Sequence, residues 1–114
     1  MYKIEINNIK KTFYLTFSGI FTPDEVDNFL KEYSSKVSSI PSNEYKLVAD
    51  TTNLRVSKQE MLPLMKNCIA LYMQTPFQKR YAVEGDSIIT NMQMKRVCSE
   101  ANADIHFIKN TNEI

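Results

Sequence analysis

The residues of this chain best suited to chemistry are few, and most fall in two short stretches. The first is Asp50-Thr51-Thr52-Asn53, followed closely by Ser57-Lys58; the second is Asp86-Ser87. Each follows an apolar run that reads as a strand and precedes a run that reads as a helix. In open α/β sheets, ligands and partners meet the loops beyond the carboxyl ends of the parallel strands. Thr22 and Thr90 belong to the same set of loops and helix starts. Three helix N-termini pointing one way can hold an anion. Thr22, Ser57 and Asp86 or Ser87 are equally what any helix uses to cap its first turn. Asp50, placed after a buried strand, raises the question of phosphoryl transfer. An aspartyl-phosphate phosphatase needs a second Asp two residues on, where this chain has Thr52, and no acidic pair follows the first strand as a receiver domain requires. Asp50 therefore reads as a carboxylate that orders its loop.

The remaining reactive side chains offer little more. His106, the only histidine, sits between Ile105 and Phe107 in the last strand and is expected to face solvent. Cys68 and Cys98 lie on separate helical stretches without metal-ligand spacing, and read as reduced, buried small hydrophobes. With two glycines in the chain there is no Gly-rich phosphate loop, and no serine occupies a Gly-x-Ser-x-Gly elbow. The reading is a protein without catalytic residues, metal or cofactor.

Composition narrows the class further. At 114 residues, 43% apolar and 24% charged, the chain suits one soluble domain, residues 1–114, with one core. A formal net charge of +1, with Lys10-Lys11 and Lys79-Arg80 only doublets, argues against nucleic acid. The longest uninterrupted apolar run, Cys68 to Met73, is far too short to span a membrane. Residues Met1 to Ile6 already alternate like a strand and carry no signal-peptide pattern, so a cytoplasmic location is expected.

The elements that must position these residues are well marked. Tyr2, Ile4 and Ile6 alternate with Lys3 and Glu5; after the Asn7-Asn8 turn, Phe13, Leu15 and Phe17 alternate with Thr12, Tyr14 and Thr16 up to Gly19. Two such strands make an antiparallel hairpin. Thr22 as N-cap, Pro23 at the first position and Glu25 three residues on open a helix whose stripe is Val26, Phe29, Leu30, Tyr33 and Val37. Leu47-Val48-Ala49 reads as a strand buried on both faces and hence central, breaking into a loop at Asp50–Asn53. Ser57 with Glu60 then forms a capping box for a second helix running to about Gln74. Pro63 lies inside it, past the first turn, so a kink or loosened first turn is expected near Lys58 to Leu62. Arg80–Val83 is the next strand, and Gly85-Asp86-Ser87 the turn into a third helix that ends at Asn102. Ile105–Ile108 is the last strand, and the tail is too short for a fourth helix. The order is ββαβαβαβ, an α/β domain whose sheet is parallel from the second strand onward, with an antiparallel N-terminal edge.

This arrangement resembles the STAS domain (sulfate transporter and anti-sigma-factor antagonist), and within it the antagonist-like proteins often filed beside the CRAL-TRIO lipid-binding fold. The resemblance is carried by Phe17-Ser18-Gly19, by Leu47-Val48-Ala49-Asp50 with Asn53-Leu54, and by Tyr81-Ala82-Val83 and Ile105-His106-Phe107. It implies a regulatory module that binds another protein. Antagonists of this family carry an Asp-Ser pair where the loop enters the second helix, and a partner kinase phosphorylates that Ser. Here the place reads Val56-Ser57-Lys58, so Ser57 is expected to cap a helix and not to act as a switch. The family's usual fourth helix is missing too.

The second helix has more apolar surface than one sheet can cover. Met61, Leu62, Leu64, Met65, Cys68, Ile69, Leu71, Tyr72 and Met73 sweep roughly 200° of its circumference, about twice the stripe a surface helix needs. On the third helix, Thr90, Met94, Val97, Cys98 and Ala101 fall on one side, and Ile88, Ile89 and Met92 on the other. Five of the six methionines lie on these two helices, and Met suits surfaces that adapt to a partner. An exposed apolar face is therefore expected at Leu62, Ile69, Met73, Ile88 and Met92, serving a protein partner or a second copy as a homodimer. The other function considered is a carrier holding a lipid or small apolar ligand between the second helix and the sheet.

Overall fold

The computed structural model of the chain describes residues 1–55 and 61–114. Five strands, β1 (Tyr2–Asn7), β2 (Thr12–Ile20), β3 (Lys46–Arg55), β4 (Lys79–Val83) and β5 (His106–Ile108), alternate after the hairpin with α1 (Pro23–Val37), α2 (Leu62–Gln74) and α3 (Ile88–Glu100). Short 3₁₀ turns lie at Ser42–Glu44 and Thr111–Glu113. The strands lie side by side in chain order, β1 antiparallel to β2 and all later pairs parallel. The expected ββαβαβαβ order, the central place of β3 and the antiparallel edge are all present, and the described residues hold three α-helices.

Strand order decides where the helices go. Each crossover steps one strand further in the same direction, and crossovers of one hand then stack every helix on one side of the sheet. Val26, Phe29 and Tyr33 of α1, Cys68, Ile69 and Tyr72 of α2, and Val97 and Cys98 of α3 accordingly share one core with Ile4, Phe13, Leu15, Phe17, Leu47 and Ala49. Edge-to-face rings hold it: Phe29 lies 5.2 Å from Phe17 and 5.4 Å from Tyr2, and Tyr33 lies 5.5 Å from Phe13. The other side carries no helix among the described residues. There Val48, Val83 and Ile108 form a small separate cluster with Tyr14 and Tyr81 packed against it.

Three expectations need correction. Asp50–Asn53 is strand and not loop, because β3 runs on to Arg55. Its pairing with β2 slips by one residue, Thr16 opposing Asp50 but Ser18 opposing Asn53, which is a β-bulge. The extra residue inverts the inside-outside alternation: Leu47, Ala49 and Thr51 are buried before it, and Leu54 after it. The polar composition of Asp50–Asn53 resembled a turn because a bulge, like a turn, tolerates residues that bond their own backbone. Secondly, α2 starts at Leu62, so Pro63 sits not past its first turn but in it, where a missing N–H costs no hydrogen bond. The kink or loosened turn expected near Lys58 to Leu62 falls largely outside the described residues. The expected capping box at Ser57 and Glu60 lies outside the described residues. Thirdly, Ala101 is exposed; it is the C-cap of α3, followed by Asn102 at φ +52.

Beside the bulge lies an unusually close backbone approach. A Cβ on Gly85 would lie 2.2 Å from the carbonyl oxygen of Thr52. Gly85→Ala is expected to cost about 2 kcal/mol or more, since backbone and not a flexible side chain stands in the way. Gly19→Ala, with open space around it but φ +69, should cost about 1 kcal/mol through backbone strain alone. Urea denaturation of both variants checks the ranking.

Candidate functional site

The polar residues singled out at the ends of β3 and β4 divide by face. Thr51 points inward and is buried, its hydroxyl donating to the Val83 carbonyl at 2.7 Å, which ties β3 to β4 at the end of their pairing. Asp50 belongs to the helix-free side. Its Oδ2 accepts from the Tyr14 hydroxyl at 2.8 Å, and its Oδ1 accepts from the Thr52 backbone N–H at 3.0 Å and the Thr52 hydroxyl at 2.5 Å. The carboxylate thus orders its own segment, as expected, but within a strand. Asn53 is exposed. Ser57 and Lys58 lie outside the described residues.

Gly85, Asp86 and Ser87 follow directly beyond β4. The Asn91 side chain grips Gly85 twice, its Oδ1 accepting from the Gly85 N–H at 3.1 Å and its Nδ2 donating to the Gly85 carbonyl at 2.8 Å. Ser87 caps α3, its hydroxyl accepting from the Thr90 N–H at 3.3 Å. Thr22 caps α1 in the same way through the Glu25 N–H at 3.2 Å. Both caps use the oxygen that would otherwise be free to help hold an anion. Asp86 is exposed. Among the described residues, no group of three or more His, Cys, Asp or Glu side chains is placed to hold a metal ion.

The anticipated apolar face is only partly a surface. Ile88, Ile89 and Met92 stand out from α3 at 73%, 67% and 65% exposure. Ile69 does not join them: at 2% exposure it is core, so its place in the face is withdrawn. Leu62 and Met73 are half-buried. Leu62 lines a cleft with Pro63, Lys66, Arg96, Val97 and Glu100, at the opposite end of α3 from Ile88. Met73 lies at the far end of α2, where Arg80 clamps the helix terminus by donating to the Tyr72 carbonyl at 2.8 Å and the Thr75 carbonyl at 2.7 Å. The excess apolar arc of α2 goes instead into a core that α1, α3 and the sheet all share.

Between α2 and the sheet, the space lined by Phe17, Phe21, Leu54, Met65, Ile69 and Met94 amounts to about 50 Å³. Ligand pockets generally reach about 300 Å³ or more. A wider concavity, about 940 Å³ and open to solvent, lies on the helix-free side between the β1–β2 turn, Tyr14, Lys46, Val48 and the terminal 3₁₀ turn. Sequence reasoning missed this whole side. Its signal was the in-register row Glu5, Tyr14, Val48, Tyr81 and His106, one residue per strand.

These features define an α/β protein of SpoIIAA-like, that is STAS-like, fold. No protein-family profile matches the chain, and no curated protein matches it. Among solved structures it is similar to an uncharacterized protein of the DUF3478 family from Shewanella loihica PV-4, described as having a SpoIIAA-like fold. The TM-score is 0.67 and the identity 15%, over 98% of this chain and 89% of that one. The likeness is one of fold. Among the described residues, no helix is long and apolar enough to cross a membrane.

The buried hydroxyls and thiols give the interior a pH limit. Burial pushes the Cys68 thiol up to about 12 and the Cys98 thiol up to about 11, from 9.0. Burial raises the Tyr14 hydroxyl to about 12, aided by its bond to Asp50, and the Tyr33 hydroxyl to about 12, both from 10.0. In each case the folded chain keeps a proton that the unfolded chain gives up sooner. Their stabilisation is fully present below pH 9 and is lost as the pH rises through 9 to 12. Denaturant midpoints across that range should fall monotonically, and native Cys68 and Cys98 should react with a thiol reagent at pH 8 far more slowly than in the denatured chain.

Proposed function

We propose that this chain is a non-enzymatic, cytoplasmic interaction module of STAS-like type, which docks a partner protein through the outer face of α3 at Ile88, Ile89 and Met92. The observation that carries the reading is the exposure of these three large apolar side chains within two turns of one helix. Contiguous apolar groups of this kind mark interaction surfaces more often than isolated ones do. The start of α3 is a rigid mount, because Asn91 grips Gly85 and Gly85 abuts Thr52. Asp86 and Ser87 border the face and give it a polar rim. A carrier role finds less support, since the space between α2 and the sheet is several times too small for a lipid.

The test is Ile88→Glu combined with Met92→Glu. Neither side chain is core, so the melting temperature should move by no more than about 2 °C. Capture of the partner on the immobilised chain should be abolished, with cross-links from the wild-type complex mapping to the neighbourhood of Lys95. Unfolding of the double variant would assign these residues to the core and end the proposal.

A further inference from the structure

We infer that the free edge of β1 is the surface on which a second copy of this chain docks, adding its own β1 antiparallel about a two-fold axis at Ile4. This surface is separate from the α3 face. β1 pairs only with β2 among the described residues, so one side of its backbone has no strand partner. The Ser18 N–H donates to the Met1 carbonyl at 2.9 Å, which turns residue 1 toward β2. Alternation along the strand then turns the N–H and C=O groups of Tyr2, Ile4 and Ile6 to the free edge. The Ile4 carbonyl confirms the phase, because it accepts from the Lys36 ammonium reaching across from α1 at 3.3 Å.

The sequence of this edge is complementary to itself. With Ile4 opposite Ile4 of the second copy, Tyr2 faces Ile6, and Lys3 faces Glu5 on both sides of the axis. The Lys3–Glu5 pairs fall at the non-hydrogen-bonded positions, where opposed side chains approach most closely. A two-fold at Lys3 or at Glu5 would oppose like charges, so charge selects Ile4. Lys3 and Glu5 are exposed, while Tyr2 and Ile6 are half-buried and have apolar surface left to cover. α1 lies over both strands of the hairpin: Phe29 meets Tyr2 of β1 and Phe17 of β2, Tyr33 meets Phe13, and Glu32 accepts from the Tyr2 hydroxyl at 3.3 Å. Lys36 reaches across the edge to the Ile4 carbonyl. Lysine there is a recognised guard against strand addition. On docking it gives up the Ile4 carbonyl and keeps its salt bridge to Glu32, at 3.4 Å. The guard makes the dimer concentration-dependent.

Sedimentation velocity of the full chain from micromolar to millimolar concentration tests this. The wild type should show a reversible monomer–dimer equilibrium. Glu5→Lys turns two attractive cross-strand pairs repulsive and should weaken it on the order of tenfold. Lys3→Glu combined with Glu5→Lys should restore it, and Lys36→Ala should tighten it. The Ile88→Glu, Met92→Glu variant should dimerise like wild type. A strictly monomeric wild type overturns the inference. So does a dimer indifferent to Glu5→Lys, one not rescued by the charge exchange, or one lost with the α3 substitutions.

Discussion

Because the strands are laid down in chain order, three helices must share one face of the sheet, and that single layer has to bury what the sheet presents there. The solution is aromatic. Phe13, Phe17, Phe29, Tyr33 and Tyr72 meet at tilted or edge-to-face angles, spanning β2, α1 and α2 in one continuous contact. Large rigid rings fill a wide interlayer space at small cost in side-chain entropy. Two of them are tyrosines, and the buried Tyr33 hydroxyl is satisfied within hydrogen-bond distance of the Thr75 hydroxyl, at 2.8 Å. The same arrangement explains why α2 can be apolar over so much of its circumference. It lies between α1 and α3 and above β3, with neighbours on three sides.

The opposite face has no such layer and manages with less. Val48 is buried there although no helix among the described residues covers it, because Tyr14 and Tyr81 stand on either side of it in register. Tyr14 is held upright by Asp50, and Tyr81 lies 5.8 Å from the His106 ring. A central strand thus becomes buried on both sides through two different means, one a helix layer and the other a pair of tyrosine rings.

Much of this was legible in the sequence, for reasons that can be named. The hairpin, the Thr22 cap, the central β3 and the three helices rest on local patterns: period-two alternation, capping residues and helical stripes. The exposure of Ile88 and Met92 was readable because Thr90, Val97 and Cys98 already claimed the inner side of α3. Ile69 was misplaced because a stripe on an isolated helix does not show how many neighbours the helix will have. The bulge at Thr51-Thr52 escaped for a similar reason. It abuts the backbone of Gly85, more than 30 residues away, and a polar tetrapeptide looks the same whether it turns or merely slips register. The unlayered face escaped because it depends on strand order, which no single segment encodes.

The contact between Gly85 and the Thr52 carbonyl has a consequence for how such a chain can diversify. It joins main chain to main chain, and Asn91 adds two more bonds to the same glycine backbone. The place where α3 begins is therefore set without help from the side chains that α3 shows to solvent. Those outward positions can be rewritten, residue by residue, while the scaffold beneath them keeps its shape. A fold built this way can hand the same platform to many binding specificities, each written on a surface that the architecture itself leaves blank.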